Sequence, residues 1–164
     1  MVATRKRKSR AEGISLLGGE APARRINVML GLTGELRATR GGQTRLADLV
    51  ERGFPSKSVD VLAEYTGLGR KRLAETASIP TRTLERRVAR SERLRPDESD
   101  RLARIARIYA LAEEVFGLKS VAERWMEEPN RALDGRRPLE ELSTEVAARE
   151  VEDALGRIRD GAFS

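Results

Sequence analysis

The stretch "RLARIARIYALAEEVF", residues 101–116, does most to limit what this chain can fold into. Leu102, Ile105, Ile108, Tyr109, Ala112, Val115 and Phe116 return at intervals of three and four, the period of a helix and not of a strand. The apolar stripe they make is wide enough to be covered by two neighbours at once. Asp97 is placed to cap this helix, which becomes the spine of the C-terminal half.

The remaining periodic pieces are shorter and also helical. Thr44 can cap a helix that runs to Arg52 and stops at Gly53 and Pro55. Ser58 can cap another, through Asp60, Leu62 and Tyr65 to Gly67. Leu73, Ala74 and Ala77 mark a helix that breaks at "SIP", and Thr81 to Ala89 forms the next, with Leu84 and Val88 inward. Pro80 is tolerated there because a first-turn N–H would be unpaired anyway. Beyond the spine come a helix from Ser120 to Met126, the turn "EEPNRALDGRRP", a short "PLEEL" helix begun by Pro138, and a final helix capped by Ser143 or Thr144. In that last helix Ala147, Val151, Ala154, Leu155 and Ile158 recur on one face. No stretch alternates in the manner of a strand, so the fold class is all-α.

Composition narrows the chemistry. The 164 residues contain no cysteine and no histidine, which removes disulfides, thiolate nucleophiles, imidazole acid–base catalysis and nearly every zinc site. The acidic pairs Glu113–Glu114 and Glu127–Glu128 are adjacent on helices, where successive side chains diverge by about 100° and do not converge on one bond. The chain therefore reads as a non-enzyme without metal or cofactor. The apolar run "INVMLGL" is only seven residues, far short of a membrane span or a signal-peptide core, so no membrane contact and a cytoplasmic location are expected.

Charge is unevenly distributed. Residues 1–42 hold nine Lys/Arg against three Asp/Glu, residues 67–95 again nine against three, and residues 96–164 eleven against sixteen. A surface for nucleic acid thus belongs in the first ninety-five residues. Residues 1–42 read as a basic, disordered arm, although part of "ARRINVMLGL" can form a short element that packs on the body. Its Lys6, Arg7, Lys8 and Arg10 can serve phosphates or be a solvated tail. Residues 43–95 form a DNA-binding domain and residues 96–164 a second unit.

Within the second basic block, "LAETASIPTRTLERRV" sets two short helices three residues apart, which can hold the second helix proud for a major groove. Thr81, Arg82, Thr83, Arg86, Arg87 and Arg90 are the candidate DNA contacts, with Arg90, Arg93 and Arg95 serving phosphates. The segment resembles the helix-turn-helix of Xre/Cro-type repressors: Ala74 falls where that motif keeps a small residue and Leu84 where it keeps an apolar one. Ser78 replaces the usual turn glycine. A basic surface helix that binds no DNA is the plainer alternative.

From about Val61 to Ser164 the chain resembles antitoxins of the Xre/MbcA/ParS group. The resemblance rests on "RLARIARIYALAEEVFG", "AERWMEEPNRALDGRRPLEEL" and "AAREVEDALGRIRDGAFS". It implies a type II antitoxin whose residues 96–164 are a toxin-binding domain, with a cognate RES-type, NAD-consuming toxin as partner and operator DNA as the other ligand. It further implies repression of its own operon, inhibition by covering the toxin's cleft, and assembly as a homodimer or a higher hetero-oligomer with toxin. On DNA the protein would be nucleoid-associated. Of the residues matching the family's central signature, Trp125 is expected to fill the core between the spine and the last helix. Asn130 and Gly135 are expected to shape the loop, with Pro129, Pro138 and Leu139 also structural. The other reading gives that loop to the toxin through Arg131, Arg136 or Arg137. The toxin-binding candidates are Arg157, Arg159, Asp160, Gly161, Ala162, Phe163 and Ser164, with Gly161 ending the helix so that the segment after it can enter a partner groove. The rival reading is a stand-alone repressor whose C-terminal half only dimerises.

Overall fold

The stripe of residues 102–112 is the axis around which everything else is placed. In the computed structural model, which describes residues 22–36 and 46–161, it lies on the long helix α7 (Pro96–Phe116). Leu102, Ile105, Ile108, Tyr109 and Ala112 are all 1% exposed or less, while Val115 and Phe116 are only partly covered. Every regular element among the described residues is helical: α1 (Pro22–Met29), α2 (Thr33–Leu36), α3 (Leu46–Arg52), α4 (Ser58–Thr66), α5 (Arg70–Thr76) and α6 (Thr81–Ala89) precede α7. After it come α8 (Lys119–Glu127), 3-10 turns at Arg131–Leu133 and Pro138–Ser143, and α9 (Glu145–Arg159). The protein is all-α, as expected.

Two predicted caps move. Asp97 does not cap α7. Arg95 is the N-cap, Pro96 takes the first helical position, and Glu98 closes the turn by accepting the Arg95 N–H at 2.8 Å. A proline is pre-set for that first position, which leaves Asp97 inside the first turn, bound to Arg95 and Arg101. Ser58 likewise lies inside α4, because Lys57 before it is already helical at φ −62°, ψ −18°. The cap assigned to Thr44 lies outside the described residues. Thr144 is the cap of α9, its Oγ1 accepting the Ala147 N–H at 3.3 Å.

The basic arm does not occupy all of residues 1–42. Its segment "ARRINVMLGL" docks on the body, with Ile26, Met29, Leu30 and Leu32 buried against α4 and α7. Lys6, Arg7, Lys8 and Arg10 lie outside the described residues. Gly53, between α3 and α4, has φ +78°, and a Cβ there would fall 2.0 Å from the Leu94 carbonyl oxygen, so only glycine lets the two segments meet. The start of α7 pins this crossing, since Ser99 Oγ accepts the Phe54 N–H at 2.8 Å.

Among the described residues one core runs through both halves and α7 belongs to each: α1, α3 and α4 pack on it, and so do α8 and α9. Three of the five residues expected on the inner face of α9, Val151, Ala154 and Leu155, are there, and only its edge shifts. Ala148, Val151, Ala154 and Leu155 are fully buried, whereas Ala147 and Ile158 are half-buried. Trp125 does not fill the core between α7 and α9. It is half-buried and lies against Phe116 with ring centroids 5.7 Å apart, and Met126 beside it is the residue with no exposure. Pro138 and Leu139 are buried, as a structural role requires.

Candidate functional site

The hairpin of α5 and α6 is built by local chemistry. Leu73, Ala74, Ala77, Ile79 and Leu84 point inward and are at most 2% exposed. The turn between the helices needs one left-handed residue, and Ser78 takes that conformation at φ 54°. Its N–H donates to the Glu75 carbonyl at 2.9 Å and that of Ile79 to the Ala74 carbonyl at 2.8 Å. From the spine, Arg101 Nε reaches the Ala77 carbonyl at 2.6 Å, so the turn is held by the helix beneath it.

The six DNA-contact candidates divide into two groups. Arg82 and Arg86 are exposed on one face, and neither has a carboxylate in ion-pair range among the described residues. Thr81 and Thr83 flank them, half-buried, and Arg90 is exposed 3.7 Å from Glu92. Arg87 points the other way: its guanidinium donates to Glu98, the pair being 11% and 5% exposed. It locks α6 to the first turn of α7. The phosphate candidates are also engaged, Arg93 with the Gly53 carbonyl at 2.5 Å and Glu35 at 2.7 Å, Arg95 with Asp97 at 2.9 Å. Val88 is half-buried.

At the other end of the molecule, Arg157, Arg159, Asp160 and Gly161 are exposed. Gly161 has φ +75° and its N–H donates to the Ile158 carbonyl at 3.1 Å, the left-handed helix end that was expected. Arg157 and Asp153 stand between two shallow surface clefts, one running to Leu111 and Arg159, the other to the loop at Ala132 and Arg136. Arg159 lies 3.2 Å from Asp160. Ala162, Phe163 and Ser164 lie outside the described residues. In the loop, Asn130 Oδ1 accepts the Ala132 N–H at 2.8 Å, and Asp134 and Gly135 both take positive φ. Arg136 is held by Glu141 at 2.7 Å and Arg137 by Glu140 at 3.3 Å, which leaves Arg131 as the exposed loop arginine without an ion pair among the described residues.

Comparison with known proteins separates the same two regions. The chain matches the Antitoxin Xre-like helix-turn-helix domain over residues 45–107 and the Antitoxin Xre/MbcA/ParS C-terminal toxin-binding domain over residues 111–161. Antitoxin Xre of Yersinia enterocolitica serotype O:8 / biotype 1B is 36% identical over 130 residues, covering 79% of this chain and 86% of that protein. The chain belongs to this antitoxin family. Antitoxin Xre of Pseudomonas putida KT2440 is 43% identical over 83 residues, 51% of this chain and 52% of the relative. Antitoxin Xre of Photorhabdus laumondii subsp. laumondii is 32% identical over 117 residues, 71% of this chain and 79% of the relative. The two domain matches meet inside α7, so in this antitoxin the spine is common to the helix-turn-helix and the toxin-binding domain.

Where those halves touch, the antitoxin carries a polar seam that the sequence did not disclose. Tyr65 Oη donates to Glu113 Oε2 at 2.8 Å, and Lys119 lies 5.0 Å from the Tyr65 ring centroid while pairing with Glu123 at 2.7 Å. Arg72 of α5 pairs with Glu127 of α8. Burial pushes the Glu113 carboxyl above its ordinary range, against the opposing pull of the Tyr65 hydroxyl, Arg25 and Lys119. Glu113 Oε1 and Tyr109 Oη are buried without a hydrogen-bond partner among the described residues. The contacts of Tyr65 and Arg72 join residues about fifty positions apart, and no local motif marks them. Among the described residues there is no cluster of metal-ligating side chains, and no helix is long and apolar enough to cross a membrane.

Proposed function

We propose that this antitoxin silences a RES-type, NAD-consuming toxin with its C-terminal end and represses its own operon with α5 and α6. Residues 43–95 serve the DNA-binding role and residues 96–164 the toxin-binding role, in the cytoplasm and, when on the operator, at the nucleoid. Inhibition is by occupancy. Arg157, Arg159 and Asp160 make polar contacts at the rim of the toxin's cleft, Gly161 turns the chain off the helix axis, and Ala162, Phe163 and Ser164 enter the cleft. A Phe ring buried at such an interface is worth about 1.5–3 kcal/mol, the scale of an anchor residue. The antitoxin works as a homodimer or in a larger assembly with toxin.

The observation that carries this reading is the pairing, on one spine, of a helix-turn-helix whose outward Arg82 and Arg86 have no ion-pair partner among the described residues with a toxin-binding domain whose last helix ends in an exposed polar turn. The test is co-expression with the neighbouring toxin gene. Full-length antitoxin should restore growth and a chain ending at Asp160 should not. Equal rescue by the shortened chain would remove the tail from the mechanism. Loss of binding to the upstream DNA with rising salt, alongside intact rescue, would establish the second role separately. If the protein binds that DNA and neither co-purifies with nor neutralises the toxin, it is a stand-alone repressor.

A further inference from the structure

We infer that α6 selects operators by guanine, through Arg82 and Arg86, with Glu85 reading the cytosine paired to the guanine of Arg86. This rests on the reading of α5 and α6 as the DNA-binding element. Of the arginines between residues 82 and 95, four have partners within the chain: Arg87 in a buried pair with Glu98, Arg93 with Glu35 and the Gly53 carbonyl, and, in exposed surface pairs, Arg90 with Glu92 and Arg95 with Asp97. Arg82 and Arg86 alone in this set have no such partner among the described residues, and both are exposed on the first two turns of α6. Those turns of a helix laid in the major groove meet base edges, not the backbone.

The chemistry then picks the base. A guanidinium fork matches the two acceptors, O6 and N7, that only guanine presents side by side in the major groove. Adenine sets a donor beside N7, and the fork loses one of its two bonds. Spacing sets the register. Arg82 and Arg86 are one turn apart, about 6 Å along the helix axis, which is close to two base-pair steps of about 3.4 Å. The two guanines are therefore separated by one intervening pair. Glu85 is exposed, precedes Arg86, and has no ion pair to either arginine among the described residues. A carboxylate offers only acceptors, and the cytosine amino group is the base-edge donor it satisfies without also facing an acceptor at N7. Arg86 and Glu85 thus read both bases of one G·C pair, and Arg82 a guanine two steps away. Contacts with the spine fix the orientation of α6. Arg101 on the Ala77 carbonyl and Arg87 on Glu98 hold α6 from beneath, so its outer face is presented in one orientation.

Selection of bound sequences from a pool of random duplexes, using the purified full chain at one fixed salt concentration, tests this. The enriched motif should contain two G·C pairs with one pair between them. Arg82→Ala and Arg86→Ala remove the fork. Each should lower the preference for guanine at its own position by about 5- to 150-fold, equivalent to about 1–3 kcal/mol, and leave the preference at the other position unchanged. Replacing either guanine by 7-deazaguanine should weaken the wild type and spare the matching alanine variant. Glu85→Gln should relax the cytosine preference. An enriched motif without guanines at this spacing, or alanine variants with unaltered base preference, overturns the guanine assignment and leaves DNA reading intact. Binding that enriches no sequence at all overturns both.

Discussion

The hairpin of α5 and α6 and the contact between α7 and α9 each bury an arginine, and the two burials differ in what faces them. Arg87 is 11% exposed and its partner Glu98 only 5%. Arg104 is 9% exposed, but its partners Asp100 and Glu145 are 59% and 42% exposed. An ion pair with both members out of water is hard to break from one side, because the survivor keeps a charge it cannot hydrate. A buried cation facing wet carboxylates is a different case, since those groups turn to solvent when it is lost. Burial of the arginine alone does not separate the two situations; the exposure of the acid does.

The largest expected effect follows from the first case. Arg87→Ala should cost about 3–5 kcal/mol in chemical denaturation, because it strands Glu98 in the first turn of α7. It should also weaken DNA binding from a residue that meets no DNA, by freeing α6 from the spine. Arg104→Ala should cost less, about 1–3 kcal/mol. It removes a hydrogen-bonded bridge between Asp100 and Glu145 but leaves both acids hydrated. Equal losses in the two variants would break the comparison. Replacing both members of the dry pair, Arg87→Met with Glu98→Gln, should recover most of the stability, since no unpaired charge then remains.

A smaller effect lies at the hairpin turn, where the same region stores backbone strain that the α7–α9 contact lacks. Ser78 sits at φ 54°, which costs a residue with a Cβ about 1–2 kcal/mol. Ser78→Gly removes that cost and adds chain entropy to the unfolded state, worth about 0.5–1 kcal/mol the other way. The net gain should be a few tenths to about 1 kcal/mol, read as a rise in the denaturation midpoint.

What the sequence disclosed and what it hid divide along the same line. The helix-turn-helix was legible because its signals are local: a break at "SIP", an apolar residue at Leu84, a small one at Ala74, and a turn residue forced left-handed at Ser78. The spine was legible from its stripe. Asn130 and Gly135 were legible as loop formers, because the bonds they shape close within seven residues. Arg87 was not separable from its neighbours, because charge counting treats a run of arginines alike. Its direction depends on Glu98, a residue of another helix. Trp125 was misplaced because size suggests burial, yet the position facing inward on α8 belongs to Met126. The shifted edge of the α9 face has the same origin. Helical spacing fixes which residues share a face, and the neighbours that cover it, here α7 and the Pro138–Ser143 turn, fix where its centre falls.

The smallest expected effect concerns the sign of a carboxylate's contribution, and it sets the seam beside the α7–α9 contact once more. Glu145 is held below its ordinary range: against a desolvation penalty, Arg104, Arg107 and Arg149 favour its charged form. Its stabilising contribution is present above the unfolded carboxylate value and is lost as pH falls through the lowered folded value. Glu113 is displaced the other way by burial, with Tyr65, Arg25 and Lys119 opposing the shift and Glu123 adding to it. A carboxyl whose folded value is raised contributes stability that is fully present below the unfolded value, about 4.3, and lost as pH rises through the folded one. Glu113→Gln keeps a carbonyl acceptor for the Tyr65 hydroxyl and removes the ionisation. Relative to the wild type, the variant should therefore be the more stable at pH about 7, and the gap should close on titration toward pH about 4. Denaturation midpoints of the two proteins across that range isolate Glu113 from Glu145, because the latter is common to both. A gap independent of pH would mean that the seam holds Glu113 as an ordinary surface acid does, and the unpartnered Oε1 would then have to be hydrated.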